Sequence, residues 1–351
     1  MNLHEGGALT SWLAGEGPLG DGVISSRTRL ARNLEGFFFP TRMDGKQAEK
    51  VASMVVEAAS SWRDERGHPL RVLTLQDLTP LERQVLVEKH LASPLHIQQP
   101  YGVLLLSEDE TLSVMINEED QLRIQKMAPG LNLEEAYREA LRFHDHLKER
   151  LPFAYHSRLG YLTAHPANVG TGLRASVLCH LPGHVYTQTL EALLVQLSQR
   201  GITARGLYGE GSQASGNLYQ ISNSRTLGLA GEDIVAAMDQ AIRQVVQREW
   251  SLREALLQEG QLEDRIWRAY GILTHARSIS SGEAMELLSL VRLGVDLHVL
   301  PPLPPRLLNQ LIVRIRPAFL QAQAGEAQDP LQRDRSRARL IRQMLTQGGA
   351  A

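Results

Sequence analysis

The chain has 351 residues, 43% of them hydrophobic and 22% charged, with a formal net charge of -2. That length suggests roughly two or three domains, and the near-neutral charge excludes nucleic-acid binding driven by bulk basicity. The single cysteine, Cys179, excludes an intrachain disulfide and a cysteine-rich zinc site and fits a reducing, cytoplasmic setting; no apolar run approaches the ~20 residues that span a bilayer.

Residues 1–20 are Gly-rich and weakly patterned, without the basic start and apolar stretch of a signal peptide. "VISSRTRLARNL" opens the folded part. "KQAEKVASMVVEAASSWRDE" carries a helical pattern, as does "LTPLERQVLVEKHL", where Thr79-Pro80 marks a start. "YGVLLLSEDETLSVMIN" reads as a hairpin around Ser107 to Glu110. "LNLEEAYREALRFHDHLKERL" is an amphipathic helix, with Asn132 expected to cap it and Glu135 to complete a capping box. "GYLTA" and "LRASVLCHL" flank the loop "HPANVGTG", and "ARGLY" and "NLYQISN" flank "GEGSQASG". These strand–loop–strand units predict an α+β fold, an antiparallel sheet flanked by helices. From Gly231 the pattern is nearly all helix, broken at "LPPLPP" and ending in the basic "RDRSRARLIRQML". The expected division is an N-terminal segment 1–20, a sheet domain 21–250 and an all-α C-terminal domain 251–351.

Two glycine runs, Gly170-x-Gly172 and Gly209-x-Gly211, imitate a dinucleotide fingerprint, but β-like segments follow where a helix is required. What remains is a constellation. Asn117, Glu118, Glu119 and Asp120 end the apolar run Leu112 to Ile116. Neighbouring carboxylates repel unless cations meet them. Arg27, Arg29, Arg123, Arg174 and Arg205 supply cations, Glu210 adds a carboxylate, and glycines accompany them. If the strands share one sheet, these strand ends and loops gather at one edge. Guanidinium forks suit phosphate oxygens, and a triphosphate is the simplest anion to engage so many. The carboxylates then hold Mg²⁺ or face a cationic acceptor. The alternative is a set of surface ion pairs, individually weak.

The ordered blocks "SSRTRLARN", "NEEDQLRIQ", "GYLTAHPANVGTGLRASV", "RGLYGEGS" and "NLYQISNSRTLGL" resemble the catalytic domain of the phosphagen (guanidino) kinases, from about Asp21 to Arg248. The helical C-terminal part, with "LEDRIWRAYGIL" and "RDRSRA", resembles the protein-arginine kinase branch of that family. The resemblance implies transfer of the ATP γ-phosphate to arginine side chains of proteins, with Mg²⁺ and with no dedicated protein ligand for the metal. It implies catalytic roles for Glu119 and Glu210, and for His165 in place of the family's loop cysteine. Implied nucleotide contacts are Ser25, Ser26, Arg27, Thr28 and Arg29 in the first block, then His90 and Arg123. They continue through Arg174, Ala175, Ser176, Val177 and Leu178, and then Arg205, Gly206, Leu207, Tyr208 and Gly209. Backbone N–H groups of "NVGTG" are expected to add to this cradle. Arg333, Asp334, Arg335, Ser336, Arg337 and Ala338 match an allosteric phosphoarginine pocket.

The implied partners are protein substrates with exposed arginines, a heat-shock repressor, a zinc-binding activator, a Clp-type protease and a second copy of the chain. No membrane and no direct nucleic-acid contact is implied. Two alternatives stand beside this reading: a phosphoarginine-binding adaptor with weak or no kinase activity, and a kinase for small guanidines. His165 departs from the family, since imidazole accepts a hydrogen bond only when neutral and repels a cation when protonated, so slower turnover with a steeper pH dependence is expected. Gln121 stands where a histidine is common.

Overall fold

The computed structural model describes residues 10–207 and 214–348, with backbone alone for 347 and 348. Among the described residues, ten strands run in chain order: β1 (Val23–Arg32), β2 (Arg71–Thr74), β3 (Val103–Leu106), β4 (Leu112–Ile116), β5 (Leu122–Pro129), β6 (Tyr155–His156), β7 (Gly160–Tyr161), β8 (Leu173–His180), β9 (Ile202–Gly206) and β10 (Leu218–Asn223). Eight of them form one sheet in the order β2-β3-β4-β5-β1-β8-β10-β9, while β6 and β7 pair separately. Every pairing is antiparallel.

Alternation along the strands gives the sheet two different faces. One is apolar, with Leu30, Val114, Ile116, Ile124, Val177, Cys179 and Ile221 in a single core. That core is completed by helices α1 (Gly45–Ala59) and α3 (Leu133–Lys148), and further along by α6 (Gly231–Gln258). Between α1 and α3 lies α2 (Pro80–Glu88), and between α3 and α6 lie α4 (Pro182–Tyr186) and α5 (Leu190–Gln199). Phe143 of α3 is wholly buried and meets Trp62 edge-on at 5.1 Å, a burial that contributes ~1.5–3 kcal/mol.

The opposite face carries a second apolar cluster, including Met115, Met127, Leu178 and Leu218. The C-terminal helices join it: α7 (Gln261–His275), α8 (Ser281–Asp296), α9 (Pro305–Arg314), α10 (Pro317–Ala324) and α11 (Pro330–Gly348). Helix α6 runs unbroken through residue 250. It carries the buried pair Glu249–Arg253 (2.7 Å), and Arg253 also reaches Asp296 of α8 at 3.0 Å.

Several local expectations hold. Thr79 and Glu82 form a capping box at α2, and β3–β4 and β9–β10 pair as hairpins. Others are corrected. β7 pairs with β6, not with β8; Tyr161 touches Gly170 by one isolated bridge, and β8 instead lies between β1 and β10. Asn132 makes no side-chain cap, and its backbone N–H bonds Ser26 Oγ at 2.8 Å.

Candidate active site

All five arginines lie within strands: Arg27 and Arg29 in the middle of β1, and Arg123, Arg174 and Arg205 one residue from the ends of β5, β8 and β9. Arg27 and Arg29 stand two residues apart on the central strand, so both leave the same face. The register sets Arg29 opposite Arg174, Arg27 opposite Ser176, Ala31 opposite Arg123, and Gln220 opposite Arg205. Arg29 is buried, and its pKa is pushed well down by burial first and then by Arg27, Arg123 and Arg174, with Glu118 opposing. Burial, Arg205 and Arg123 likewise push Arg174 down, and Glu119 pulls it up. One electrostatic field therefore joins the five arginines, Glu118 and Glu119. Arg27 donates from Nε to Ser176 Oγ at 3.3 Å, and Arg123 pairs with Glu118 at 2.5 Å. The buried Nε of Arg29 and that of Arg174 have no acceptor among the described residues.

Residues 117–121 close the turn from β4 to β5. Asn117 sits at φ 60 and donates from Nδ2 to the carbonyls of Ala48 and Tyr101. The three acids have separate surroundings. Glu118 accepts from Ser93 Oγ, Arg123 and the Glu119 N–H; burial works to raise its pKa, but these partners lower it overall. Asp120 accepts from Asn33 Nδ2 at 2.7 Å and the Ala164 N–H at 2.6 Å, yet burial, with Glu119 and Glu118 adding, raises its pKa. Glu119 is half-buried, and among the described residues nothing hydrogen-bonds or ion-pairs with its carboxylate. Gln121 is fully buried, accepting from the Leu34 N–H and donating to the Phe38 carbonyl.

Asp120 ties the acid turn to the loop that bears His165. That imidazole is exposed, and its Nδ1 accepts the Ala167 N–H at 3.2 Å, which leaves the proton of the neutral ring on Nε2. Arg32 stacks over Tyr161 at 3.6 Å and donates to the Thr171 carbonyl, bracing the same loop. Gly170 (φ 114) is required because an added Cβ would lie 2.8 Å from the Thr226 carbonyl oxygen. The N–H groups of Asn168, Val169 and Gly170 are bound to His165, Pro166 and Tyr161 carbonyls, so these three do not form the expected cradle.

A cleft beside the arginines is lined by Trp12, Ser25, Arg27, His90, Met127, Ser176, Leu178, Leu207 and Gln220. His90 follows the cap of α2 and meets Trp12 edge-on at 5.6 Å. Burial, then Arg27 and Arg316, push its pKa down to about 3, so the ring is neutral near pH 7. The sequence runs 25–29 and 174–178 divide by strand alternation. Ser26 bonds Gly130 and Thr28 bonds Ala136, both on the opposite side, where Ala175 and Val177 also enter the apolar core. Their side chains therefore face away from the arginine side of the sheet. Gly206 pairs with Tyr219 at the end of β9. Tyr208, Gly209 and Glu210 lie outside the described residues. Trp12, Met127 and Gln220 were missed; Trp12 sits in the weakly patterned start, and the other two show only through strand register.

In α11 the six expected pocket residues are not equally open. Arg337 is buried, donating from Nε to Ile315 O and from Nη1 to Ile279 O, both at 2.8 Å, and it also pairs with Asp334. Ala338 is buried, Arg333 donates to Gln328 O, and Ser336 Oγ accepts from Gln328 Nε2. Arg335 is exposed.

A face of arginines bordered by a carboxylate without a hydrogen-bond partner among the described residues suits a polyanion held beside a cationic group. The comparisons agree. Residues 50–252 match the family "ATP:guanido phosphotransferase, C-terminal catalytic domain", and residues 259–350 match "Protein-arginine kinase McsB C-terminal domain". The chain is 51% identical to a protein-arginine kinase of Symbiobacterium thermophilum, over 97% of each chain. It is 44% identical to one of Bacillus subtilis, over 96% of this chain and 94% of that one. The duplicated taurocyamine kinase of Schistosoma mansoni, with bound transition state analog components, superposes with TM-score 0.61 at 27% identity, covering 71% of this chain and 35% of that one. Lombricine kinase shares the fold, with TM-score 0.61 at 24% identity over 69% and 70%. The chain belongs to the protein-arginine kinase branch of the ATP:guanido phosphotransferase family. It is a kinase, and the family implies ATP as its phosphoryl donor.

Proposed function

We propose that this kinase phosphorylates arginine side chains of protein substrates, with ATP seated on the arginine face and the acceptor guanidinium received by Glu119. One observation carries the reading: a buried Arg29 whose Nε has no acceptor among the described residues, on the same arginine face that feels a half-buried Glu119 carboxylate with no hydrogen-bond or ion-pair partner among the described residues. Buried charge is costly unless paired, so this face suits a multiply charged anion. The names of the relatives above favour a protein acceptor over a free guanidine.

A guanidinium with a pKa above ~12 has no lone pair ready for attack. Glu119 orients it and takes one proton as the N–P bond forms. The bond between the γ-phosphorus and the bridging oxygen breaks, and ADP departs. The arginines stabilise the charge spread over the transferring group. Glu210 is assigned as the second carboxylate of the clamp by resemblance alone.

Among the described residues, no group of three His, Cys, Asp or Glu could cage a metal. Glu118 and Asp120 are already engaged. This donor set fits Mg²⁺ carried by nucleotide phosphates and water, where it would neutralise charge. Family membership also supports roles in marking proteins for a Clp-type protease and controlling a heat-shock repressor. A zinc-binding activator, a homodimer, a cytoplasmic setting and a phosphoarginine effector at Arg333 to Ala338 belong to the same reading, as does a boundary near residue 250. The test incubates the protein with ATP and an unfolded arginine-rich protein, then maps phosphorylation by mass spectrometry under conditions that spare the P–N bond. Phosphoarginine on the protein is expected. Transfer to free arginine alone, or no transfer, overturns the reading.

A further inference from the structure

Glu249 and Glu88 are both buried carboxylates set against helix starts. Glu249 accepts the N–H groups of Gly183 and His184 at α4. Glu88, the last residue of α2, accepts the Ala318 N–H at 3.0 Å and the Phe319 N–H at 2.8 Å. Those two residues open α10, in the C-terminal helical part. First-turn N–H groups have no acceptor within their own helix, and the helix dipole favours an anion there. Burial raises the pKa of Glu88, while the two N–H groups, Arg316 and Arg337 act against it.

Two residues beyond Glu88 the chain reaches His90, at φ 60, with its N–H on Val87 O and its carbonyl accepting from Gln125 Nε2 at 2.8 Å. The imidazole lines the cleft beside Arg27 and Ser176. Where α2 ends therefore decides where His90 stands. Arg316, the residue before α10, acts electrostatically on both Glu88 and His90. Arg337 of α11 holds the carbonyl of Ile315 next to it. A short connection of hydrogen bonds and helix thus runs from α11 to the cleft.

We propose that Glu88 is a positioning residue through which the C-terminal helices set the affinity of the cleft for nucleotide. This rests on reading the cleft as part of the nucleotide seat. The test uses the full chain and ATP, comparing wild type, Glu88→Gln, Glu88→Asp and, as a structural comparator, Glu249→Gln. Titration calorimetry gives the dissociation constant, and steady-state kinetics separate KM from kcat. Glu88→Gln is expected to raise the dissociation constant and KM for ATP by at least about fivefold, with kcat at saturating ATP within about twofold. Glu88→Asp, which keeps the charge but shortens the reach, falls between. Glu249→Gln melts earlier but keeps its ATP affinity. If Glu88→Gln does not fold, Glu88→Asp decides by the same criterion. Glu88 variants that melt earlier yet bind ATP like the wild type overturn the coupling alone. A wild type that binds no ATP overturns the nucleotide seat itself, and the coupling with it.

Discussion

Replacing Arg29 with methionine separates stability from function on one residue. Arg29 is buried on the central strand, and the guanidinium groups of Arg27, Arg123 and Arg174 act on it unfavourably. Methionine keeps an unbranched apolar stem and removes the charge. Replacing a buried ion pair with apolar groups of similar size is often neutral or stabilising by ~1–4 kcal/mol. Arg29, which makes no ion pair among the described residues, leaves no partner stranded, so a gain in that range is expected from removing its charge. For 351 residues the unfolding entropy is ~0.7 kcal/mol/K, so each kcal/mol moves Tm by ~1.4 °C. Without nucleotide, Arg29→Met should therefore melt ~1–5 °C above the wild type. With ATP at ~100 times its dissociation constant, the wild type gains ~2.7 kcal/mol, or ~4 °C. The variant should gain at most ~0.9 kcal/mol, or ~1 °C, because losing a buried charged contact costs ~2–5 kcal/mol of binding, at least ~30-fold in affinity. Thermal unfolding with and without ATP reads both effects. A variant that melts below the wild type without ATP, or that keeps the full ATP shift, refutes the picture of Arg29 as an anion-seeking buried cation.

Glu119→Ala should lower kcat by ~10²–10⁴ while ATP affinity by calorimetry stays unchanged, and near-normal turnover would remove Glu119 from the chemistry. His96 is fully buried, with its pKa pushed down to about 4 by burial first; Arg123 adds to this, and the Ile116 carbonyl and Glu118 oppose it. Because the folded value lies below the unfolded one of ~6.5, its contribution is present above that pH and is lost as pH falls towards 4, ~2 kcal/mol by pH 5. Urea unfolding at pH 7 and 5 should show this loss, and His96→Gln should shrink it by about that amount. Arg337→Lys should lower stability by ~3 kcal/mol in urea, since lysine cannot serve the Ile315 and Ile279 carbonyls together. Unchanged stability there would mean the bonds contribute little.

The sequence revealed the types of element better than their partners. Two apolar runs around the polar turn Ser107 to Glu110 marked β3 and β4, and Thr79-Pro80 marked the start of α2. The central place of β1 was not legible, because nothing local in "VISSRTRLARNL" says that both edges of this strand are covered. That strand also explains why the expected contacts divide between two faces. A motif match selects consecutive residues, whereas a strand offers only every second side chain to one face. Ser26 and Thr28 therefore serve α3 and its approach, while Arg27 and Arg29 meet Arg174 and Ser176. Trp12 escaped for a different reason. Its place in the cleft depends on tertiary packing over β5 and His90, which leaves no periodic trace in a three-residue turn.

The row of acids at the end of β4 makes physical sense once its members are separated. Three adjacent carboxylates could not all face one bound cation without severe repulsion. Here Glu118 turns to Arg123 and Ser93, which spends its charge on the arginine face, and Asp120 turns to Asn33 and the Ala164 N–H, which clips the His165 loop in place. Each fixes one flank of the turn, so Glu119 between them is held without being engaged. A carboxylate held this way loses little freedom when a guanidinium arrives, and it keeps its full accepting capacity for that group. The same logic explains why Glu118→Gln and Asp120→Asn should differ in kind: the first alters the field felt by Arg123 and Arg29, the second the position of the loop that carries His165. ATP KM should respond to the first and acceptor KM to the second, and a single common effect on both constants would mean the turn acts as one undivided anion.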